Sequence, residues 1–205
     1  WERREPDSVV QPRIKPFLGP AREIFEFQEL QQAQMVLGYR TSILYGMEDY
    51  PALVLLNLVL GGDGQSRLFK HLREEESLCY YAASHVEALS GLLFVVAAIE
   101  SATYHRAKTI VERQIESLRR GYIENYEIDS ARSLLQARLL GLAEDREAFF
   151  RFQLREDLIG GGQSPEKLWR SVERVGIDDL VRVANHLKAD TAYLLHGGVG
   201  AKIAI

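Results

Sequence analysis

Zinc-dependent catalysis is the first chemistry to test against this sequence, because histidine is the commonest metal ligand in proteins. The chain has five histidines, which are His71, His85, His105, His186 and His196. No two of them stand in an H-E-x-x-H or H-x-x-E-H pattern, the spacing that places two ligands and a glutamate on one helix. His85 and Glu87 could share one face of a strand, but two ligands without a third make a poor site. We therefore predict that the chain holds no metal.

Nucleophilic catalysis has no better support in the sequence. There is no G-x-S-x-G motif, and the single cysteine, Cys79, lies in a candidate strand with no histidine beside it. A buried structural thiol is the favoured interpretation. One cysteine also excludes an internal disulfide and fits a reducing cytoplasm. We predict no catalytic residue in this chain.

A glycine cluster formed by Gly61, Gly62 and Gly64 surrounds Asp63. It does not match a phosphate-binding loop, since it follows a helical pattern, lacks the G-x-x-x-x-G-K-[ST] spacing and contains a carboxylate that would repel phosphate. A helix end followed by a tight turn explains it. The alternative is a substrate-facing loop, because three glycines would let a bound peptide come close to the backbone.

Alternating and helical patterns predict the elements around these residues. The predicted strands are Glu23–Phe27, Gln34–Arg40, Leu78–Val86, Leu92–Ile99 and Ala192–Leu195, with a turn at Ser90-Gly91. The predicted helices include Ala52–Leu60 (after Asp49 and Pro51), His105–Leu118, Ile128–Leu142, one opening at Ser164-Pro165 and one capped by Asp178 that runs to Leu187. This order predicts an α+β fold, a two-layer sandwich of a mixed or antiparallel sheet with helices packed on one face.

Composition limits the class of protein. With 205 residues, 46% hydrophobic and 26% charged, and a net charge of -4, the chain is typical of a globular domain and gives no sign of a nucleic-acid or membrane surface. Residues 1–20 carry four prolines and are predicted to form a linker or arm, with one domain at 21–205. Because Trp1 is not an initiator methionine, we expect a piece of a longer polypeptide. An ordinary N-terminal arm is the alternative.

From Asn57 the chain reads NLVLGGDGQSRLFKHLREEESLCYYAASH. This stretch resembles the C-terminal half of the insulinase (pitrilysin, mitochondrial-processing-peptidase) family of zinc metallopeptidases. Such halves carry a buried helix, a glycine run, then S-x-L-F, then L-R-E-K and a tyrosine after a short gap. The likeness extends over roughly Glu23 to His196. The family's zinc motif lies in the other, N-terminal half, so the resemblance implies zinc in the parent protein or a partner and none here.

The resemblance also implies a role for Arg73 and Tyr80, which stand where the family has an arginine and a tyrosine that reach toward the substrate. A guanidinium suits a peptide carbonyl or carboxylate, and a phenol could donate to the oxyanion of peptide hydrolysis. From spacing alone, the alternative is that Arg73 pairs with Glu74 or Glu76 while Tyr80 only packs. The double tyrosine Tyr80-Tyr81 resembles the bacterial branch that lacks an intact zinc motif and pairs with an active partner.

Two functions remain open on these grounds. The first is a C-terminal domain without zinc that binds substrate peptide for a zinc site on another domain or chain, with the N-terminal half or a homologous subunit as partner. The second is a structural or assembly subunit, like the core subunits of respiratory complexes. We expect a dimeric, cytoplasmic assembly and no hydrolysis by this chain alone. Whether the parent or its complex is a metalloendopeptidase stays open.

Overall fold

The computed structural model describes residues 21–30, 32–159 and 164–197, so the predicted linker at residues 1–20 lies outside it. A five-stranded sheet forms the centre of the fold. Its strands are β1 (Arg22–Phe27), β2 (Ala33–Arg40), β3 (Cys79–Glu87), β4 (Leu92–Ile99) and β5 (Lys188–His196). They lie in the order β1-β5-β2-β4-β3. β1 and β5 are parallel and the other pairs are antiparallel, so the sheet is mixed.

The helical segments include all five that the sequence patterns predicted. They are α1 (Tyr50–Gly61), a π-helix (Phe69–Glu75), a short 3-10 turn (Ser101–Thr103), α2 (Tyr104–Arg119), α3 (Asn125–Gly141), α4 (Arg146–Ile159), α5 (Pro165–Glu173) and α6 (Ile177–His186). None of these described helices combines the length and apolarity needed to cross a bilayer.

One face of the sheet is buried beneath the helices. On β2 the buried residues Met35, Leu37 and Tyr39 alternate with half-buried or exposed ones, and β4 repeats this pattern with buried Val95 and Ala97. Because side chains alternate between the two faces of a strand, these residues share one face, where they join the helices in a single core. The predicted α+β sandwich is confirmed.

Helix starts show where capping differs from the prediction. Ser164 accepts a hydrogen bond from the Lys167 backbone N–H at 3.2 Å and caps α5 as expected. Asp178 does not cap α6: the N-cap is Gly176, whose N–H donates to Asp179 Oδ2 at 2.8 Å. Asp49 stands at the N-cap of α1, but its carboxylate accepts from Arg182 instead.

The β3–β4 hairpin places one strand at an edge of the sheet. Gly91 has φ +64°, a left-handed conformation that glycine adopts without strain, which explains the predicted turn. β4 pairs with β2 on its inner side, so β3 is the last strand and its outer backbone groups have no partner strand within the sheet. This edge lies beside the residues singled out in the sequence.

Candidate functional site

The end of α1 packs unusually close to β3. A Cβ atom on Gly61 would lie 2.6 Å from Ser84 Oγ and 2.9 Å from the carbonyl carbon of Ala83, and it would also collide with the Ser84 nitrogen. Ser84 Oγ in turn donates to the Asn57 carbonyl of α1 at 3.0 Å. Close approach of the helix to the strand therefore requires glycine at position 61, whatever else the glycine cluster does.

The glycine cluster also borders a cavity of about 500 Å³. The residues around it include Gly61, Gly62 and Gly64, apolar side chains of α1 and α3, and β3 from Tyr81 to Val86. Arg138 of α3 donates to the Gly62 carbonyl at 2.6 Å and holds the loop in place. The side-chain oxygen of Asn57 is buried in this wall and has no hydrogen-bond partner among the described residues. The cavity thus lies beside an unpaired strand edge.

A buried ion pair anchors the segment that follows the glycine cluster. Arg67 is only 7% exposed and donates to both carboxylate oxygens of Glu127, at 2.6 and 2.7 Å. It also donates to Ser117 Oγ at 3.1 Å and to the Tyr122 carbonyl. Burial acts to raise the pKa of Glu127, but hydrogen bonds from Arg67 and from the Glu124 backbone N–H outweigh it, and the pKa is lowered. Arg67 therefore fixes the start of the π-helix against α2 and α3.

The π-helix at Phe69–Glu75 carries Arg73. Such helices are rare and are frequently found at functional sites. The Arg73 guanidinium carbon lies 4.6 Å from the centre of the Phe69 ring, within the range of a cation–π contact. The same ring lies 3.8 Å from where a Cβ on Gly64 would be, so it links the arginine to the glycine cluster.

A β-bulge places Tyr80 beside this arginine. Cys79 pairs with Ile99 and Tyr81 pairs with the adjacent Ala98, so Tyr80 is the extra residue. Cys79 is buried, whereas Tyr80 is 75% exposed and Tyr81 also faces outward. The centre of the Tyr80 ring is 5.0 Å from the Arg73 guanidinium carbon.

The two residues singled out in the sequence are therefore in contact, and Phe69 completes a stack in which both rings lie within cation–π range of Arg73. Glu76, the suggested ion-pair partner of Arg73, pairs with Arg106. Within the described part of the chain, no carboxylate forms an ion pair with Arg73. No hydrogen bond from its N–H groups to another described residue accompanies these two ring contacts. Sequence reasoning missed Phe69, although its position four residues before Arg73 on a helical segment was a usable signal.

The other reactive side chains do not join this stack. Burial raises the pKa of the Cys79 thiol, although Arg73 acts to lower it, and this agrees with a structural cysteine. His71 contacts Glu75 at 2.6 Å on the surface of the π-helix. Across residues 21–30, 32–159 and 164–197, no group of three or more His, Cys, Asp or Glu side chains could hold a metal ion. The described residues therefore do not fit a zinc ion.

Comparisons with known proteins give a consistent picture. Residues 1–135 match the family model described as the peptidase M16 inactive domain. The chain is 30% identical over 200 residues to the "probable inactive metalloprotease YmfF" of Bacillus subtilis, covering 98% of this chain and 45% of that protein. It is 32% identical over 172 residues to an uncharacterized zinc protease of Mycobacterium tuberculosis, covering 82% of this chain and 39% of that protein. A crystal structure of a conserved protein from Enterococcus faecalis matches with a TM-score of 0.84 at 25% identity, over 92% of this chain and 44% of that one. The chain thus spans less than half the length of these relatives.

Proposed function

Because the chain belongs to the M16 peptidase family, whose inactive domain it matches, we propose that it binds substrate peptide for a zinc site on another domain or chain. Arg73 and Tyr80 are the residues that make this contact. The main observation that supports the proposal is the stack of Phe69, Arg73 and Tyr80. A half-buried arginine without a carboxylate partner among the described residues lies within cation–π range of Phe69 and of a largely exposed tyrosine.

Arg73 supplies the hydrogen-bond donors in this proposal. Stacking against aromatic rings occupies the faces of a guanidinium and leaves its N–H groups in the plane free for acceptors. A peptide carbonyl or a terminal carboxylate suits these donors, and a carboxylate can accept two of them at once. Tyr80 adds a hydroxyl donor a short distance away, on a strand edge that the bulge turns outward.

The edge of β3 supports binding of an extended peptide. An unpaired strand edge can accept a further strand, with main-chain hydrogen bonds giving affinity. The glycine cluster at Gly61, Gly62 and Gly64 lines the cavity beside this edge. In this arrangement the cavity takes a substrate side chain while the main chain passes Tyr81 and Tyr80 toward Arg73.

The zinc site belongs elsewhere in this proposal, because the described residues of this chain do not fit the metal. The chain covers only 45% of the length of the Bacillus relative, so the rest of a parent protein has room for an N-terminal half. A zinc ion would supply a Lewis acid and an activated water there. The N-terminal half, a homologous subunit or both are the proposed partners, in a dimeric and cytoplasmic assembly.

Peptide binding by the full-length parent, together with any homologue that co-purifies, tests this directly. Calorimetry with a non-cleavable peptide should show at least about tenfold weaker binding for R73A/Y80A, because a charge-assisted hydrogen bond contributes about 1.5–3 kcal/mol. The control R113A/Y126A removes the same residue types from exposed positions outside the stack and should bind as the wild type does. Equal binding by both double variants, with the complex still assembled, would favour an assembly role instead.

A further inference from the structure

A second cleft lies on the helical layer, between the β2–α1 loop, the start of α1 and helices α5 and α6. Its volume is about 760 Å³, within the range of ligand-binding clefts. It shares no lining residue with the Arg73–Tyr80 stack or with the cavity beside β3. The peptide-binding role proposed above does not use it.

Two arginines on consecutive turns of the α5 region line this cleft. Arg170 lies in the last turn of α5 and Arg174 is its C-cap residue, and both are exposed. No carboxylate in residues 21–30, 32–159 or 164–197 lies within ion-pair distance of either of them, although the charge of Arg170 helps to lower the pKa of the exposed Glu166 one turn earlier on α5, after its hydrogen bonds to Ser164 and to the backbone. Arg182, on the facing helix, differs because Asp49 and Asp179 neutralise it at 2.7 and 2.8 Å.

The wall opposite the arginines is largely apolar and contains one unsatisfied polar group. Tyr45 is 7% exposed and packs on Tyr50 with ring centres 4.6 Å apart. Its hydroxyl is buried and has no hydrogen-bond partner among the described residues. Pro51 and Ala52 continue this wall, and the exposed Glu48 is its acidic member. A ligand with an acceptor near Tyr45 would satisfy a group that is costly to leave unpaired.

We propose that this cleft binds an acidic peptide segment, whose carboxylates pair with Arg170 and Arg174. Guanidinium groups match carboxylates through paired hydrogen bonds, and the apolar wall suits the rest of a peptide. The volume exceeds what a single small anion fills, which favours a chain segment over a free ion.

Fluorescence anisotropy of a labelled peptide with the full-length parent tests this. The probe is an acetylated, amidated hexapeptide of alternating glutamate and glycine, and its matched control has glutamine for glutamate. The glutamate peptide should bind, and R170Q/R174Q should weaken that binding about two- to thirtyfold, since two exposed charge-assisted contacts are lost. The control R113Q/R146Q makes the same change in net charge outside the cleft and should leave binding unchanged.

A charge-reversal variant distinguishes the loss of a contact from misfolding. R170E/R174E should no longer bind the glutamate peptide but should bind a peptide with lysine in place of glutamate. Equal binding of the glutamine peptide, or equal weakening by R113Q/R146Q, would overturn the proposal. Displacement of the peptide by inorganic phosphate, beyond that by chloride at equal ionic strength, would also overturn it in favour of a small-anion site.

Discussion

Replacing Glu127 with glutamine should destabilise the domain by about 2–3 kcal/mol, because it leaves the buried Arg67 without its counter-charge. Breaking a buried ion pair by removing one partner typically costs about 3–5 kcal/mol. We expect a smaller loss of folding free energy for Glu127→Gln, because Ser117 and the Tyr122 carbonyl still accept hydrogen bonds from Arg67. Glutamine also retains one acceptor oxygen. The remaining oxygen of glutamine can still accept from the Glu124 N–H, so the capping contact is kept. Its NH2 group replaces an acceptor of Arg67, so the expected loss includes one hydrogen bond as well as the charge.

Equilibrium urea unfolding followed by far-UV circular dichroism at pH 7 measures this cost. For a domain of this size, the expected loss corresponds to a fall in melting temperature of about 5–10 °C. Arg67→Met should be similarly destabilising, because it leaves Glu127 buried and unpaired. The double variant R67M/E127L should recover much of the loss, since it removes both charges together. A double variant no more stable than either single variant would refute this reasoning.

The pH dependence gives an independent test of the same ion pair. The pKa of Glu127 is lower in the folded protein than its ordinary value of 4.5. The ionised carboxylate therefore adds to the stability of the fold at every pH above about 4.5. This contribution is lost as the pH falls through the folded pKa, where the carboxylate takes up a proton. The stability difference between wild type and E127Q should therefore be full at pH 7 and shrink below about pH 4.5. A difference that does not change with pH would contradict the ion-pair account.

Two further substitutions test local packing and capping. Gly61→Ala should lower the free energy of unfolding in urea by about 1–3 kcal/mol, because the added methyl group meets the backbone of β3 at Ser84. The control Gly141→Ala adds a methyl group that meets nothing within 4 Å and should be neutral or stabilising. Equal effects would refute the close-packing explanation. Asp179→Ala should cost about 1 kcal/mol, because it removes both the acceptor for the Gly176 N–H at the start of α6 and an exposed ion pair with Arg182. A cost near zero would show that neither contact stabilises the helix start.

Sequence patterns predicted the positions of the strands well, because the alternation of buried and exposed side chains along a strand is written in the order of the residues. Met35, Leu37 and Tyr39 alternate with better-exposed neighbours, and this period-two pattern survives in the structure as a buried face. The last strand was predicted only at Ala192–Leu195, but it extends over Lys188–His196. Its ends are polar and partly exposed, so hydrophobicity carried no signal there.

The functional stack was harder to predict, because it depends on geometry that spacing does not specify. The bulge at Tyr80 follows from the pairing register of β3 with β4, and the π-helix has no sequence signature that we could read. Without the bulge, side chains would alternate and Tyr80 and Tyr81 would face opposite sides. Arg73 and Tyr80 could be singled out only by resemblance to a family, and their role in substrate binding stays a prediction.

Zinc content and peptide cleavage by the full-length parent, alone and with any co-purifying homologue, test the central claim most directly. We predict that R73A/Y80A lowers cleavage at least about tenfold in whichever preparation contains zinc, while zinc content and assembly stay unchanged. The R113A/Y126A control should cleave normally. Full cleavage by R73A/Y80A, or no cleavage by any zinc-containing preparation, would contradict the account and leave an assembly role in its place.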